Sequence, residues 1–445
     1  MTATTLERPS ARTVRGHWID DWRPEDREFW DTTGAPIARR NLIFSIFSEH
    51  IGFSVWTLWS VLVLFLGPAY NIDPAGKFLL TAVPALVGSV LRIPYTFAVA
   101  RFGGRNWTII SASLLLIPAV LAAFLIQPGV SYTTLILLAA VAGVGGGNFA
   151  SSMANINAFY PDRLKGWALG INAGGGNLGV AALQLVGLFV LAVFGAGHPG
   201  IVAGIYIPLI VLATLGSALY MDNLTQARNE KRGMRDAARE GHTWIMALLY
   251  IGTFGSFIGF GFAFGQVLQV QFAEDFSTPV KAAYLTFLGP LLGSLIRPVG
   301  GALADRLGGA RVTFWNFVAM AAGASIVLLA SQLRSLPLYL VGFIALFIFS
   351  GIGNGSTYKM IPRIFALKNP GDAHEARRLS GAVIGIAGAI GAFGGVLVNL
   401  AFRQSFLAYQ TADAAYIAFI AFYALCVFVT WAVYLRSSGR KLAGV

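Results

Sequence analysis

Two arginines lie inside apolar stretches of the sequence, Arg92 in GSVLRIPYTFAVARFGGR at 88–105 and Arg297 in GSLIRPVGGALADRLGG at 293–309. A guanidinium inside hydrocarbon is costly unless another group compensates its charge. Nearly every Asp and Glu lies outside the apolar stretches, which favours an anion from outside the protein as the partner of both arginines. The fork of N–H donors on each guanidinium suits a small planar oxyanion or a carboxylate. The alternative is that each arginine pairs with an internal acid or with backbone carbonyl groups.

The composition places these stretches in a membrane. Of the 445 residues, 56% are hydrophobic and 12% are charged, whereas charged residues make up roughly a quarter of a soluble protein. A helix needs roughly 20 apolar residues to cross the hydrocarbon, and long continuous runs argue against a transmembrane barrel, whose strands are alternating segments of roughly ten residues. The sequence predicts twelve spans, at 42–68, 78–100, 106–127, 131–159, 166–194, 199–221, 243–271, 280–303, 311–332, 336–362, 379–402 and 413–436.

The two halves of the sequence repeat each other. Span two matches span eight when the numbering is shifted by 205, without a gap: Gly88, Ser89, Arg92, Arg101, Gly103 and Gly104 fall on Gly293, Ser294, Arg297, Arg306, Gly308 and Gly309. Spans four and five match ten and eleven more loosely. We therefore predict an all-α polytopic membrane protein with 12 transmembrane helices in two pseudo-symmetric six-helix halves. This organisation resembles the major facilitator arrangement of secondary transporters, with a substrate site where the halves meet.

The basic residues indicate how the chain lies in the membrane. Lys and Arg are concentrated in the N-terminal segment and in every second connection, and the remaining connections hold only Lys77, Lys281, Arg334 and Arg403. This bias predicts that both termini are cytoplasmic in a multi-pass protein of the cell (inner or plasma) membrane. It also accounts for the net charge of +12 without nucleic-acid binding. The predicted units are a cytoplasmic N-terminal segment at 1–41, six-helix halves at 42–221 and 243–436, a cytoplasmic linker at 222–242 and a cytoplasmic tail at 437–445.

Two glycine-rich runs suggest a site and a sliding contact. Phe149, Asn172 and Asn177 lie within GVGGGNFASSM and GINAGGGNLG, where an amide can donate to an oxyanion and an aromatic face can wall a narrow site. Small residues let membrane helices pack closely and move past each other. We expect Gly174, Gly175, Gly388 and Gly391 to serve in gating. Ordinary helix packing is the alternative for each of these residues.

Other charged residues carry weaker signals. Asp305 and Arg306, in the turn DRLGGAR, are candidates for a latch on one conformation, or else belong to a solvated turn. Glu49 and His50, in SEHIGFSVW of span one, are candidates for proton coupling. The alternative for Glu49 is a local bond to a polar group or to one of the buried arginines.

Enzyme chemistry finds little support in the sequence. The single cysteine, Cys426, lies in a late apolar stretch, so neither a disulfide framework nor a cysteine-based metal site is expected. No metal-ligand, phosphate-loop or nucleophile pattern stands out. We therefore predict no catalytic residues, no metal and no cofactor.

Several motifs together resemble the nitrate/nitrite porters, the NarK-type family of the major facilitator superfamily, over almost the entire chain. These motifs are DWRPEDREFW at 21–30, GGGNFASSMANI at 145–156, GWALGINAGGGNLGV at 166–180, LLYIGTFGSFIGF at 248–260 and GIGNGSTYKMI at 351–361. The resemblance implies that Arg92 and Arg297 clamp the anion, that Phe149, Tyr250 and Phe254 line the site, and that Asn177 lies near the substrate. The DWRPED type resembles nitrate/nitrite exchangers without a protonatable group in the pathway. Glu49 and His50 depart from the apolar residues expected there.

The expected function is transport of nitrate and nitrite by alternating access, preferentially as an exchange. Two like charges in a cavity of low dielectric constant repel, and a bound monoanion weakens that repulsion as the halves close. An empty carrier should therefore close reluctantly. The alternatives are a proton-coupled symporter that uses Glu49 or His50, an anion channel, an organic-carboxylate porter and a membrane receptor without transport. We expect a monomer whose partners are nitrate, nitrite and membrane lipid.

Overall fold

The computed structural model describes residues 16–226, 231–436 and 445, without the side chains of 231–232 and 373–374. The first 15 residues of the predicted N-terminal segment, Arg228 of the linker and residues 437–444 of the tail lie outside the described residues. Twelve helices are long and apolar enough to cross a membrane, which confirms the predicted fold class. In chain order they are α1 Arg27–Phe65, α2 Pro74–Phe102, α3 Gly104–Leu125, α4 Tyr132–Phe159, α5 Asp162–Phe194, α6 Pro199–Tyr220, α7 Gly241–Gln271, α8 Pro279–Leu307, α9 Gly309–Gln332, α10 Leu336–Lys368, α11 Glu375–Tyr409 and α12 Asp413–Leu435.

Helix α1 begins earlier than the predicted first span at residue 42. Asp26 caps it, because a side-chain oxygen accepts the backbone N–H of Phe29 at 3.1 Å. Phe29 and Trp30 are buried in this first turn, where apolarity alone gave no sign of a helix. The helix breaks at Thr57, whose backbone N–H bonds to the Phe53 carbonyl before the chain resumes as Leu58–Phe65.

The predicted repeat is visible in the turns that follow α2 and α8. Gly103 has φ 87° and Gly308 has φ 92°, a backbone region that glycine adopts without the strain of a side chain. The Gly103 N–H bonds to the Val99 carbonyl, and the Gly308 N–H bonds to the Ala304 carbonyl. The arginine-bearing helix of each half therefore ends in the same conformation.

The short segments on one side of the bundle hold the N-terminal half together. We call this the linker side; it carries the linker helix Lys231–Arg239 and the end of α12. Trp18–Ile19 and Asn223–Leu224 form a two-stranded parallel sheet there. Asp222 accepts hydrogen bonds from Arg40 Nη2 at 2.6 Å and from Asn41 Nδ2 at 3.1 Å. The strand pair thus fastens the end of α6 to α1.

The other side of the bundle is sealed where the halves meet. Here α1 packs against α7, α2 against α11 and α5 against α8. Phe78 of α2 stacks on Phe402 and Phe406 of α11. Thr81 Oγ1 donates to Asn399 Oδ1 at 2.8 Å. Stacked rings and a hydrogen bond thus join the two halves at this seam.

We expect Gly103→Ala to lower the stability of the folded protein more than Gly129→Ala does. Both glycines have φ near 90°, so each substitution carries backbone strain of about 1–3 kcal/mol. A Cβ at Gly103 would also collide with Asn223 and Trp18 of the strand pair, whereas a Cβ at Gly129 would meet open space. Thermal unfolding in detergent measures the difference. Equal decreases in stability of the two variants would show that Asn223 and Trp18 move aside at no cost.

Candidate anion-binding site

Arg92 is held at the centre of the molecule by carbonyl groups from both halves. Its side chain is 1% exposed. Nε donates to the Gly146 carbonyl at 3.1 Å, and Nη1 donates to the Gly388 carbonyl on α11 at 2.8 Å. Nη2 is buried and finds no hydrogen-bond partner among the described residues. Backbone carbonyl groups therefore partner Arg92, as in the alternative expected from the sequence, but only at two of its three nitrogens. Nη2 keeps N–H groups that no described residue accepts.

Three aromatic rings surround the Arg92 guanidinium. Its Cζ lies 4.6 Å from the centroid of Phe149, 4.9 Å from that of Phe254 and 5.3 Å from that of Trp56. The negative face of an aromatic ring attracts a cation but does not neutralise it. Gly88 makes this arrangement possible, because any side chain there would collide with Trp56. The rings stabilise the charge and leave it available to an anion.

Arg297 occupies the corresponding place in the second half. It is 6% exposed, and its Nη2 donates to the Tyr250 hydroxyl at 3.4 Å. Its Cζ lies 5.2 Å from the Tyr358 ring centroid. Nη1 is buried without a hydrogen-bond partner in the part of the chain that is described. Each arginine thus keeps one unsatisfied nitrogen.

A row of aromatic rings runs between the two arginines. Phe149 of the first half stacks on Phe254 of the second, with centroids 6.1 Å apart. Phe254 stacks on Tyr250 at 5.2 Å, and Tyr250 meets Tyr358 at 4.9 Å. The structure therefore brings together the predicted Phe149, Tyr250 and Phe254 with both arginines.

No carboxylate of the described residues forms an ion pair with either arginine. Within 16–226 and 231–436, neither Arg92 nor Arg297 forms an ion pair with Asp or Glu. An unsatisfied buried charge is expensive. The open guanidinium nitrogens can donate charge-assisted hydrogen bonds to a small oxyanion.

A cavity leads to Arg92 from the linker side. It holds about 510 Å³ of empty space, counting its open mouth. Arg92, Phe149 and Gly388 lie at its deep end, and Asn157 and Gly381, near the linker-side ends of α4 and α11, line its outer part. The arginine site is thus reached from the linker side while the seam on the other side is closed.

The predicted amides occupy two different surroundings. Asn177 is buried on the α5 face that also carries Ala173 and Val180, and both polar atoms of its amide lack partners among the described residues. Asn172 instead faces α1, where its Nδ2 donates to Glu49 Oε2 at 2.7 Å. Asn177 therefore remains a candidate for polar contact at the interface of the halves, whereas Asn172 contacts the Glu49 carboxyl.

The adjacent residues Glu49 and His50 of α1 make different contacts. Glu49 is fully buried and bonds to Asn172, as in the alternative of a local polar partner. His50 Nδ1 lies 3.0 Å from the Gly175 carbonyl. The two side chains make no bond to each other in the described contacts.

The glycines proposed for gating differ in their contacts. The Gly388 carbonyl accepts from Arg92, and Gly391 lies against the Tyr250 ring so closely that any side chain would collide with it. A side chain at Gly175 would meet Ile46, whereas one at Gly174 would meet open space. Gly388 and Gly391 therefore belong to the site, and Gly174 does not contact it.

The predicted latch residues lie at the linker-side end of α8, away from the arginine pair. Asp305 forms an exposed ion pair with Lys359 of α10 at 2.8 Å. Arg306 lines a separate polar cavity at that end of the second half. An ion pair between the halves on this side instead joins Arg377 to Asp162.

Sequence reasoning missed Trp56 and Tyr358. Tyr358 lies in GIGNGSTYKM, and the signal applied to Phe149, an aromatic residue within a glycine-rich run, would also have found it. Trp56 carried no such signal, because its place depends on a hydrogen bond from its indole N–H to the Pro84 carbonyl at 2.7 Å.

Comparison with known proteins points to one family. Residues 42–399 match the profile described as Major Facilitator Superfamily. The chain is 38% identical over 450 residues to "Nitrate/nitrite transporter NarU" of Escherichia coli (strain K12), covering 94% of this chain and 96% of that protein. It is 35% identical over 454 residues to "Probable nitrate/nitrite antiporter NarK2" of Thermus thermophilus, covering 97% and 99%.

A solved structure agrees in fold. The partially occluded inward-open xylose transporter XylE from E. coli superposes with a TM-score of 0.69 at 13% identity, covering 91% of this chain and 100% of that one. At this identity the likeness concerns the fold alone.

We expect Arg92→Lys and Arg297→Lys each to weaken binding of nitrate by roughly tenfold or more. A lysine keeps the charge but loses the planar fork, and a charge-assisted hydrogen bond contributes about 1.5–3 kcal/mol. Binding of labelled nitrate to purified protein measures the loss. Arg101→Lys, at an exposed position, is the matched control. Wild-type affinity in both site variants would contradict the clamp.

We also expect Gly391→Ala to weaken nitrate binding. The added Cβ would push the Tyr250 ring away from Phe254 and from the Arg297 guanidinium. Gly204→Ala is the matched control, because its Cβ meets open space on α6. The same binding assay compares them, and equal affinities in the two variants would show that the position of Tyr250 does not matter.

Proposed function

Because this chain belongs to the Major Facilitator Superfamily, and within it to the nitrate/nitrite transporters, we propose that it exchanges nitrate for nitrite across the cell membrane by alternating access. The observation that carries this proposal is the pair Arg92 and Arg297, one from each half. Each has a buried nitrogen without a partner among the described residues. A single planar monoanion between them would satisfy both.

The surroundings of the pair favour a small anion. Aromatic rings wall the site on several sides, and the Arg92 guanidinium lies within 5.3 Å of three ring centroids. Nitrate and nitrite present planar oxygens to the two forks and little else. An organic carboxylate would need further room beside Phe149 and Phe254, which stack on each other across the interface.

Alternating access follows from the unequal ends of the bundle. The seam opposite the linker side is closed, and the cavity opens on the linker side. We propose that the halves 42–221 and 243–436 rock about the arginine pair. Gly385 and Gly388 of α11 lie near Thr96 and Arg92 of α2, and at these two positions α11 has no side chain to obstruct the movement. A closed seam also argues against a channel.

The linker side is proposed to be cytoplasmic, in the inner or plasma membrane. Arg and Lys are concentrated in the connections on this side, as the positive-inside rule requires. Exposed Leu, Phe, Ile and Val side chains along the helices provide the surface that lipid would cover. Since both arginines come from one chain, the site needs no second copy, and a monomer is the proposed working unit.

Exchange follows from the charges. When the halves close without an anion, Arg92 and Arg297 repel each other in a medium of low dielectric constant. A bound nitrate or nitrite weakens the repulsion, and the loaded carrier crosses over more readily than the empty one. Nitrate entry is thereby tied to nitrite exit, and no net charge crosses the membrane.

Proton-coupled symport is the second candidate, and the buried carboxyl of Glu49 favours it. A symporter needs a group that binds a proton when the anion binds. The carrier then releases both and returns empty. His50 is the other titratable group at this depth of α1, with its Nδ1 at the Gly175 carbonyl.

Transport by proteoliposomes distinguishes these functions. We expect labelled nitrate uptake to require nitrite inside the vesicles, to saturate, and to proceed without a pH gradient. Uptake into nitrite-free vesicles driven by an inward proton gradient would replace exchange by symport. Uptake that does not saturate would indicate a channel, and competition by small organic acids would indicate a carboxylate porter.

A further inference from the structure

A buried group of polar side chains surrounds Glu49 in the interior of the first half. We call these residues the Glu49 cluster: Ser45 and Glu49 of α1, Asn148 and Ser152 of α4, and Asn172 of α5. Asn172 Nδ2 donates to both Glu49 Oε2 and Ser152 Oγ at 2.7 Å. Ser45 Oγ and Ser152 Oγ lie 2.9 Å apart. The Asn148 amide lies against Gly52, one turn from Glu49 on α1.

The cluster has more polar atoms than hydrogen bonds. Glu49 Oε1, Asn172 Oδ1, and both Oδ1 and Nδ2 of Asn148 are buried without a partner in the described part of the chain. Buried polar atoms are ordinarily paired. Gly176 leaves the room that the Glu49 carboxyl occupies, since any side chain there would collide with it. The site is therefore built to hold a carboxyl, and its free acceptors have room for a proton.

Arginines supply the charge that faces Glu49. Electrostatic interaction reaches the carboxyl from Arg92 on α2 and from Arg297 on α8. His50, next to it on α1, is bonded to Gly175, and Tyr206 of α6 lies by Ser54, further along α1. The residues that α4 and α5 contribute to the cluster are uncharged. No ion pair joins Glu49 to a cation in the described residues. Arg92 lines the same cavity as Met153, which contacts the Asn172 amide that bonds to Glu49, so the arginines act on this carboxyl through their electric field.

We propose that Glu49 takes up a proton when an anion binds between Arg92 and Arg297. An anion at the pair cancels part of the positive potential at Glu49, and an uncompensated carboxylate in the membrane interior is unfavourable. The acid form then replaces the carboxylate. This inference rests on the proposed function, because it assigns a proton partner to the same anion site.

A route from solvent to the cluster is short. Met153 lines the cavity that reaches Arg92 from the linker side. Its sulfur lies 3.6 Å from Asn172 Nδ2, so this one flexible side chain separates the cavity from the cluster. Met153 therefore lies on the route by which a proton from the linker-side solvent would reach Glu49.

Proton uptake makes transport sensitive to pH without making it a symport. Nitrate entering and nitrite leaving would each travel with the same proton on Glu49, so the proton cancels over one cycle of exchange. The rate of exchange then falls as the pH rises above the range in which Glu49 is protonated in the loaded carrier. The direction of exchange remains set by the two anion gradients.

Calorimetry of nitrate binding tests the proposal. Purified protein is titrated with nitrate in two buffers of different protonation enthalpy, from about pH 5 to about pH 9. We expect uptake of up to about one proton per nitrate, and an affinity that falls by up to about tenfold per pH unit on the alkaline side. Glu49→Gln should bind nitrate without proton uptake, and Glu274→Gln, at an exposed carboxyl, should behave as wild type.

The possible results separate this inference from the proposed function. Equal binding heats in the two buffers at every pH, with normal nitrate–nitrite counterflow, would overturn the inference and leave the function standing. Absence of nitrate binding and of counterflow would overturn the function itself. Infrared difference spectra of wild-type protein give a second readout that needs no variant. A carboxylic acid C=O band that appears on adding nitrate supports the proposal, and no such band contradicts it.

Discussion

Two buried guanidinium groups that no described carboxylate neutralises are the constraint on which the rest of the structure depends. The protein stabilises Arg92 with two backbone carbonyls and three aromatic rings. These interactions are dipolar and quadrupolar, so they lower the cost of burial and leave the net charge in place. A carboxylate in the same position would have removed the site's attraction for an anion. The choice of compensating groups is thus what keeps a membrane-buried arginine able to bind.

The same constraint explains why the halves depend on each other. The Gly388 carbonyl that holds Arg92 belongs to α11, and the ring of Phe254 that faces Arg92 belongs to α7. The second half therefore completes the surroundings of Arg92, and Phe149 of the first half stacks on Phe254 of the second. The proposed rocking of the halves would change these contacts together. Glycine at 388 suits that task, because its carbonyl can serve as a partner while no side chain obstructs the movement.

Much of this was predictable because the signals were local. The length of the apolar stretches predicted the twelve spans. The spacing of glycine and arginine in α2 and α8 predicted the repeat, which is visible in the matching turns at Gly103 and Gly308. The early start of α1 was not predictable from local signals, since it depends on packing of Phe29 against Trp22 and of Trp30 against Tyr160. Similarly, Trp56 reaches Arg92 only because Gly88, on a different helix, gives it room.

The separation of Glu49 from Arg92 matters for anion binding, because the carboxyl bonds to Asn172 and leaves the guanidinium free for an anion. A carboxylate bonded directly to Arg92 would compete with nitrate for the same N–H donors. Because Glu49 bonds to Asn172 and forms no ion pair with Arg92 or Arg297 among the described residues, it acts on the arginines only through the electric field. Its proton can then respond to the anion without occupying the anion's place. Coupling through a field, which falls off gradually, tolerates the rocking of the halves better than a hydrogen bond that must be remade in each state.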